Sequence, residues 1–216
     1  MIYNANINEA QITFPKDGII CQKYIAGIPG GRALDVDGYP LSVIYAGTPV
    51  IVKDGNYKPF PLTQSGESLP TAAVSAQTGG SAIVGDVYEG VTSDTAGAVK
   101  CALADKTVVY LSDTKATGTA DAEKTYYTKD TANTIFIGEY DADGNTVYKL
   151  GSLPANHTYA GLLYKSVKKN NAAASIMTQG VVNESALYFA ISSIKSALQA
   201  AFPAITFVND EEAVSA

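Results

Sequence analysis

Residues 160–202, AGLLYKSVKKNNAAASIMTQGVVNESALYFAISSIKSALQAAF, carry the only long helical pattern in the chain, and any fold must find a place to bury it. Apolar side chains recur at Leu187, Ile191, Ile194, Leu198 and Phe202. Spacings of three and four place such residues on one helix face. Ser192, Ser193, Lys195, Ser196 and Gln199 fill much of the remaining circumference. Asn183 is the expected N-cap, with Glu184 where the helix dipole favours a carboxylate. Pro203 stops the helix and drives Phe202 out of the α region. Full burial of these side chains contributes on the order of 10 kcal/mol gross, at roughly 1.5–3 kcal/mol each. Ahead of the helix, TQGVVNE closes a short apolar strand, and Lys165, Lys168 and Lys169 form a basic edge. The rest of the chain is expected to be β-structure that receives this helix.

Composition agrees with a β-rich globular or assembly protein. Of 216 residues only 17% are charged and Trp is absent, so the chain is neither disordered nor short of core-forming residues. The net charge is −6 and the longest basic run is Lys168-Lys169, which argues against a nucleic-acid or anionic-membrane partner. No apolar run nears the ~20 residues of a membrane span. The N-terminus lacks a basic region followed by an apolar core, so a soluble protein made in a cytoplasm is expected. Cys21 and Cys101 could pair, but two isolated cysteines make no disulfide framework, and buried free thiols are the expectation.

Along the chain, Ile2, Tyr3, Ile7, Ile12 and Phe14 mark a loosely alternating N-terminal segment before a Pro15-Lys16-Asp17-Gly18 turn. It is either a first strand on the body or an arm reaching a neighbour. Short apolar runs at 41–45 and 50–52 are punctuated by Asp37-Gly38, Gly47 and Asp54-Gly55, which predicts hairpins. Pro59, Pro61 and Pro70 lead into a small-residue loop, and two or three further strands follow over 82–113. Residues 114–151 are expected to form an inserted hairpin, alternating through Ile135, Ile137 and Glu139 and back through Val147 and Lys149 about Asp143-Gly144.

The candidate chemistry is sparse. Asp141-Ala142-Asp143-Gly144-Asn145 resembles the start of a calcium loop, but Ser152 stands where a bidentate Glu is needed, so a turn is expected there, as at Asp35-Val36-Asp37-Gly38. His157 is the only histidine and has no cysteine or carboxylate cluster beside it in sequence. The glycines at 27, 30 and 31 lack the Gly-Lys-Ser/Thr of a phosphate loop. Fourteen scattered tyrosines suit packing better than a sugar platform. With no nucleophile, base and orienting group to assemble, no enzyme, metal or cofactor is expected.

Three pieces, in order, resemble head decoration and head fibre (auxiliary capsid) proteins of tailed bacteriophages. Ile44-Tyr45-Ala46-Gly47-Thr48-Pro49-Val50 is similar to their aliphatic, Ala-Gly-Thr, Pro strand entry. Ala82-Ile83-Val84-Gly85-Asp86-Val87, with Val91-Thr92, resembles their Gly, aliphatic, Asp-Val-Thr segment. Ser175-Ile176-Met177-Thr178-Gln179-Gly180-Val181-Val182-Asn183-Glu184, with Leu187, resembles their closing strand-to-helix passage. The match covers about half the chain, and residues 114–151 have no counterpart in the small decoration fold. The resemblance implies a mainly β (α+β) protein: a β-tulip or barrel-like body with a hairpin insertion and one C-terminal amphipathic helix.

Its expected parts are an arm or first strand (1–30), a β body (31–113), the inserted hairpin (114–151), closing strands and helix (152–202) and a tail (203–216). It also implies a homotrimer on the outer capsid surface of a virion, bound to the major capsid protein and made in a bacterial host's cytoplasm. A further head fibre protein or a host-surface glycan are possible additional partners. Capsid contact falls to Ile2, Tyr3, Ile7, Ile12 and Phe14. The helix residues Leu187, Ile191, Ile194, Leu198 and Phe202 serve intrachain packing or, at their 4-3-4 spacing, a trimer seam. The alternatives are a tail or baseplate structural protein, or a carbohydrate-binding β-domain.

Overall fold

Asp54-Gly55 is the clearest local instruction in the chain. Both residues take positive φ, 51° and 78°, and close the two-residue turn between strands Pro49–Lys53 and Asn56–Pro59. Strand formation dominates throughout the computed structural model, which describes residues 14, 16–74 and 79–210, and the protein is mainly β. The chain divides into two compact units. Residues up to Thr63 and from Tyr148 onward form the first, and Gln64–Val147 form the second. The chain leaves and re-enters the first unit through paired strands, Leu62–Gln64 and Tyr148–Leu150.

The first unit is organised by Ile176–Asn183. One edge of this strand pairs antiparallel with Lys23–Gly27. Its other edge is shared: Ile176 and Met177 pair with strand Thr158–Leu163, and from Gly180 onward it pairs in parallel with Ile205–Val208. Thr158–Leu163 then joins the Pro49–Lys53 hairpin to complete a six-stranded sheet. Two short ladders, Val167–Lys168 with Val43–Ile44 and Ala173–Ala174 with Arg32–Ala33, extend it. Ile20, Leu162, Met177, Val182 and Leu198 fill one apolar cluster. Ile44, Val50, Leu163 and Ile176 fill a second, and Ile51, Phe60, Leu150, Ile191 and Ile194 a third.

The second unit is a closed barrel of five strands: Gly66–Val74, Val87–Val91, Val99–Ala102, Val108–Lys115 and Tyr126–Gly138. Ala72, Cys101 and Leu111 are packed inside it. The longest ladder runs between Gly66–Val74 and Tyr126–Gly138, and it slips between Asp130 and Thr134 opposite Thr71 and Pro70. Pro70 has no N–H to give the ladder, and a bulge at that point removes the demand for one. The Asp130 carboxylate holds the bulge by accepting the Ala132 N–H at 2.9 Å.

Three expectations are corrected. The first concerns the long helix. Glu184–Ala186 is a single 3₁₀ turn, and the α-helix spans only Lys195–Ala201. Asn183 caps the 3₁₀ turn by accepting the Ser185 N–H. Between the two elements lie Tyr188, Phe189, Ile191, Ser192 and Ser193, aromatic, β-branched and hydroxyl residues with modest helix propensity. Ile191 and Ile194 can therefore reach one cluster and Leu198 another, with Leu187 packed against both. The second correction is the insertion, which is the 64–147 barrel rather than a 114–151 hairpin. Ile135 and Ile137 pair with Leu69 and Glu67, while the Asp143-Gly144 turn closes only a short tip through Tyr140 and Thr146. Third, the tail expected from 203 contributes strand Ile205–Val208 to the main sheet.

Leu198 is fully buried, and Leu198→Ala is expected to lower stability by about 2–5 kcal/mol in urea denaturation. A loss under about 1 kcal/mol would mean that the site is loosely packed. Ile191→Asp puts an unpaired carboxylate into an apolar cluster and is expected to leave the chain without a cooperative thermal transition.

Candidate functional site

The N-terminal segment enters the first unit at a fixed root. Asp17, in the four-residue helix Asp17–Ile20, reaches across 149 positions to Ser166. Its carboxylate accepts the Ser166 N–H at 2.7 Å and the Ser166 hydroxyl at 2.5 Å. The same hydroxyl oxygen accepts the Ala46 N–H at 2.9 Å, so one buried serine joins three segments. Behind it Cys21 is buried. Burial, with the Asp17 charge adding to it, pushes its thiol up to about 12. Phe14 is half-buried at the head of this root, where its carbonyl accepts the Asp17 N–H at 3.0 Å. Ile2, Tyr3, Ile7 and Ile12 lie outside the described residues.

The two edges of the main sheet differ. Along Asn56–Pro59 the outer side is occupied: Leu34 bridges to Tyr57, and the Asp35 N–H donates to the Tyr57 carbonyl at 2.7 Å. Lys58 pairs with Asp35 at 2.8 Å, and Pro59 offers no donor. At the opposite edge, Lys23–Gly27 has a sheet partner on one side only among the described residues. Its register slips between Tyr24 and Ala26, leaving Ile25 outside the pairing and 56% exposed. Tyr24 beside it is 43% exposed and packs on Tyr164, with ring centroids 4.8 Å apart.

A cleft of about 250 Å3 in this unit mixes charged, aromatic and proline side chains. Asp35, Asp37, Tyr39, Lys58 and His157 line it among Pro40, Pro59, Pro61 and Pro154. Hydrogen bonds from Lys58, Asn56 and the Asp37 N–H hold the Asp35 carboxyl down at about 2. A carboxylate so stabilised is a weak base, so the cleft offers a fixed dipole more than a proton acceptor. Burial pushes the Tyr39 phenol well above its ordinary range, with the neighbouring Thr48 hydroxyl acting the other way. His157 sits half-buried with Nδ1 3.0 Å from the Ala155 carbonyl oxygen.

Of the residues singled out in the sequence, Leu187, Ile191, Ile194, Leu198 and Phe202 pack within the subunit. Ile191, Ile194 and Leu198 are buried in its clusters, and Leu187 presses on Gly47, whose φ of 78° and lack of a Cβ make room for it. Ile191, Ile194 and Leu198 have no apolar surface left for a seam and the helix is seven residues long, while Leu187 and Phe202 are half-buried. The calcium-like Asp141 accepts the Asn145 and Asp143 N–H groups at 2.8 and 3.0 Å, and those bonds hold its carboxyl below the usual range. Among the described residues no group of three or more His, Cys, Asp and Glu is arranged around a metal position. Cys21 and Cys101 are both buried and free. No helix among them is long and apolar enough to cross a membrane. Sequence reading missed Asp17, Ser166 and the Asp35–Lys58 pair, whose partners are far apart in the chain. No protein-family model, curated protein or solved structure matches the chain.

Asp17→Ala strands the Ser166 N–H and is expected to cost about 1.5–3 kcal/mol in denaturant titration. In the same variant Cys21 should become reactive toward a disulfide reagent at pH 8; an inert thiol and unchanged stability would remove the root. The raised Cys21 thiol favours the folded state fully below its ordinary value of 9.0 and progressively less as pH climbs toward about 12. Asp35, being depressed, acts in the other sense, its contribution present above 3.8 and lost as pH falls to about 2. Carboxyl NMR should show Asp35 titrating near 2, moving up in Lys58→Met; an ordinary titration in the native protein would contradict the pair.

Proposed function

We propose that this chain is a structural protein of a tailed-bacteriophage virion, an auxiliary capsid protein of the decoration or head fibre type. It binds the outer capsid surface as a homotrimer and acts by binding energy alone. The observation that carries this reading is the division of labour in the fold. The chain of a sheet-based β body is interrupted, between two paired strands, by a closed barrel that is a compact unit of its own, as suits a base with a separate element for display. The barrel unit holds its own exposed apolar side chains, with Val74 62%, Phe136 44% and Tyr140 61% exposed, which suits a module that meets another surface.

Attachment falls to the N-terminal segment, whose root is clamped by Asp17 and Ser166. Polar and unbasic, residues 1–14 suit addition as a strand to a sheet edge of the capsid protein. Bridging neighbouring capsid subunits stabilises the assembled shell over its parts by mass action.

Deleting residues 2–13 keeps Phe14, Lys16 and Asp17, whose bonds form the root, with the thermal transition as the control for folding. The truncated chain is expected to stay in the supernatant when sedimented with capsids that pellet the full chain. Equal co-sedimentation would remove the N-terminal segment from the contact.

A further inference from the structure

We infer that a groove beside Lys168 binds a free aliphatic carboxylate, its carboxyl group on the Lys168 ammonium and its alkyl chain against Val36 and Val43. Val36, Ser42, Val43, Lys168, Lys169 and Asn170 line this concavity of about 620 Å3, a volume in the range of small-ligand sites. Strand alternation explains the lining. Val43 and Lys168 are directly paired, as are Ile44 and Val167. Ile44 is buried in the second cluster with Val167 packed against it, so Val43 and Lys168 stand side by side on the opposite face. Val36 lines the groove from a turn that the Tyr39 N–H closes on the Val36 carbonyl at 3.1 Å. Lys169 ties these segments together: its N–H donates to the Ser42 carbonyl at 2.8 Å and its ammonium to the Tyr39 carbonyl at 2.5 Å. The groove is therefore set before a ligand arrives.

The lining carries cations, a hydroxyl and an amide, and no carboxylate. The Lys169 ammonium is engaged by Tyr39, but that of Lys168 has no hydrogen bond or ion pair among the described residues. Of the carboxylates flanking Val36, Asp35 is held by Lys58, and both it and Asp37 line the neighbouring cleft. Asp17, which reaches Ser166 two positions before Lys168, is engaged there by the Ser166 N–H and hydroxyl. Lys168 is half-buried, so its ammonium has already lost part of its hydration, and an incoming carboxylate gains a charge-assisted bond. The exposed Ser42 hydroxyl and Asn170 amide offer further donors. Val36, Val43 and the methylene stems of the two lysines supply apolar surface for an alkyl chain to cover. A peptide is the poorer occupant. It brings an N–H and a C=O at nearly every residue, each needing a partner, while the Lys169 N–H and the Ser42 carbonyl already answer one another. An alkyl chain makes no such demand.

The test is an amide NMR titration of the full chain with octanoate, with thermal transitions as a control for folding. Octanoate is expected to bind saturably and to shift the Val43, Lys168 and Asn170 amides. Octanol lacks the charge and acetate lacks the chain, and each should bind about tenfold more weakly or worse. Lys168→Met keeps the stem and removes the charge, and should cost about tenfold in affinity with unchanged melting, whereas Lys168→Arg should retain binding. No saturable shift at these amides, octanol binding as tightly as octanoate, or full affinity in Lys168→Met would each overturn the site. Tighter binding of the peptide acetyl-Glu-Glu-Ala-Val-amide would also overturn it, by handing the groove to a protein partner. Capsids play no part in this measurement, so it fails or stands separately from the capsid reading.

Discussion

Everything in the first unit depends on the sharing of one strand edge. Ile176–Asn183 accepts Thr158–Leu163 along its first residues and Ile205–Val208 along its last. That arrangement is possible only because two partners can abut on the same line of donors and acceptors. Gly180 sits where the three strands crowd, and a Cβ there would collide with the Lys23 carbonyl. Asn183 ends the strand fully buried, its amide answered by Ser185 and Asp210. A buried amide left unpaired costs on the order of 1–3 kcal/mol, so the chain returns past Val208 to satisfy it. The consequence is positional: Asp210 is held where the strand ends.

Local chemistry made some of this legible in the sequence. The Asp54-Gly55 hairpin follows directly from the φ its turn demands, and mainly-β character follows from the frequency of such turns. The 4-3-4 apolar pattern from Leu187 was misleading for a physical reason. Periodicity reports which residues are buried, and Ile191, Ile194 and Leu198 are indeed buried, but it cannot tell a helix face from a wandering segment that visits separate clusters. The barrel escaped because only Val99–Ala102 with Val108–Lys115 is a hairpin between consecutive barrel strands; its other ladders join strands distant in sequence. Alternation in Ile135–Ile137 says that a strand is there, not that Leu69 is its partner.

The same holds for the site residues. Asp17 with Ser166, and Asp35 with Lys58, are unremarkable as separate letters and become informative only when folding brings them together. Charge-assisted bonds of this kind fix where segments begin. The Asp35 carboxyl, held at about 2 by Lys58, Asn56 and the Asp37 N–H, is a weak proton acceptor.

The central functional claim is that the chain coats a capsid. The most direct measurement is its copy number relative to the major capsid protein in purified particles of the virus encoding it, by quantitative mass spectrometry. The account predicts a simple stoichiometric ratio across the shell, with many trimers per particle. A handful of copies would place the protein at the tail or a single vertex, and absence from particles would contradict the account outright.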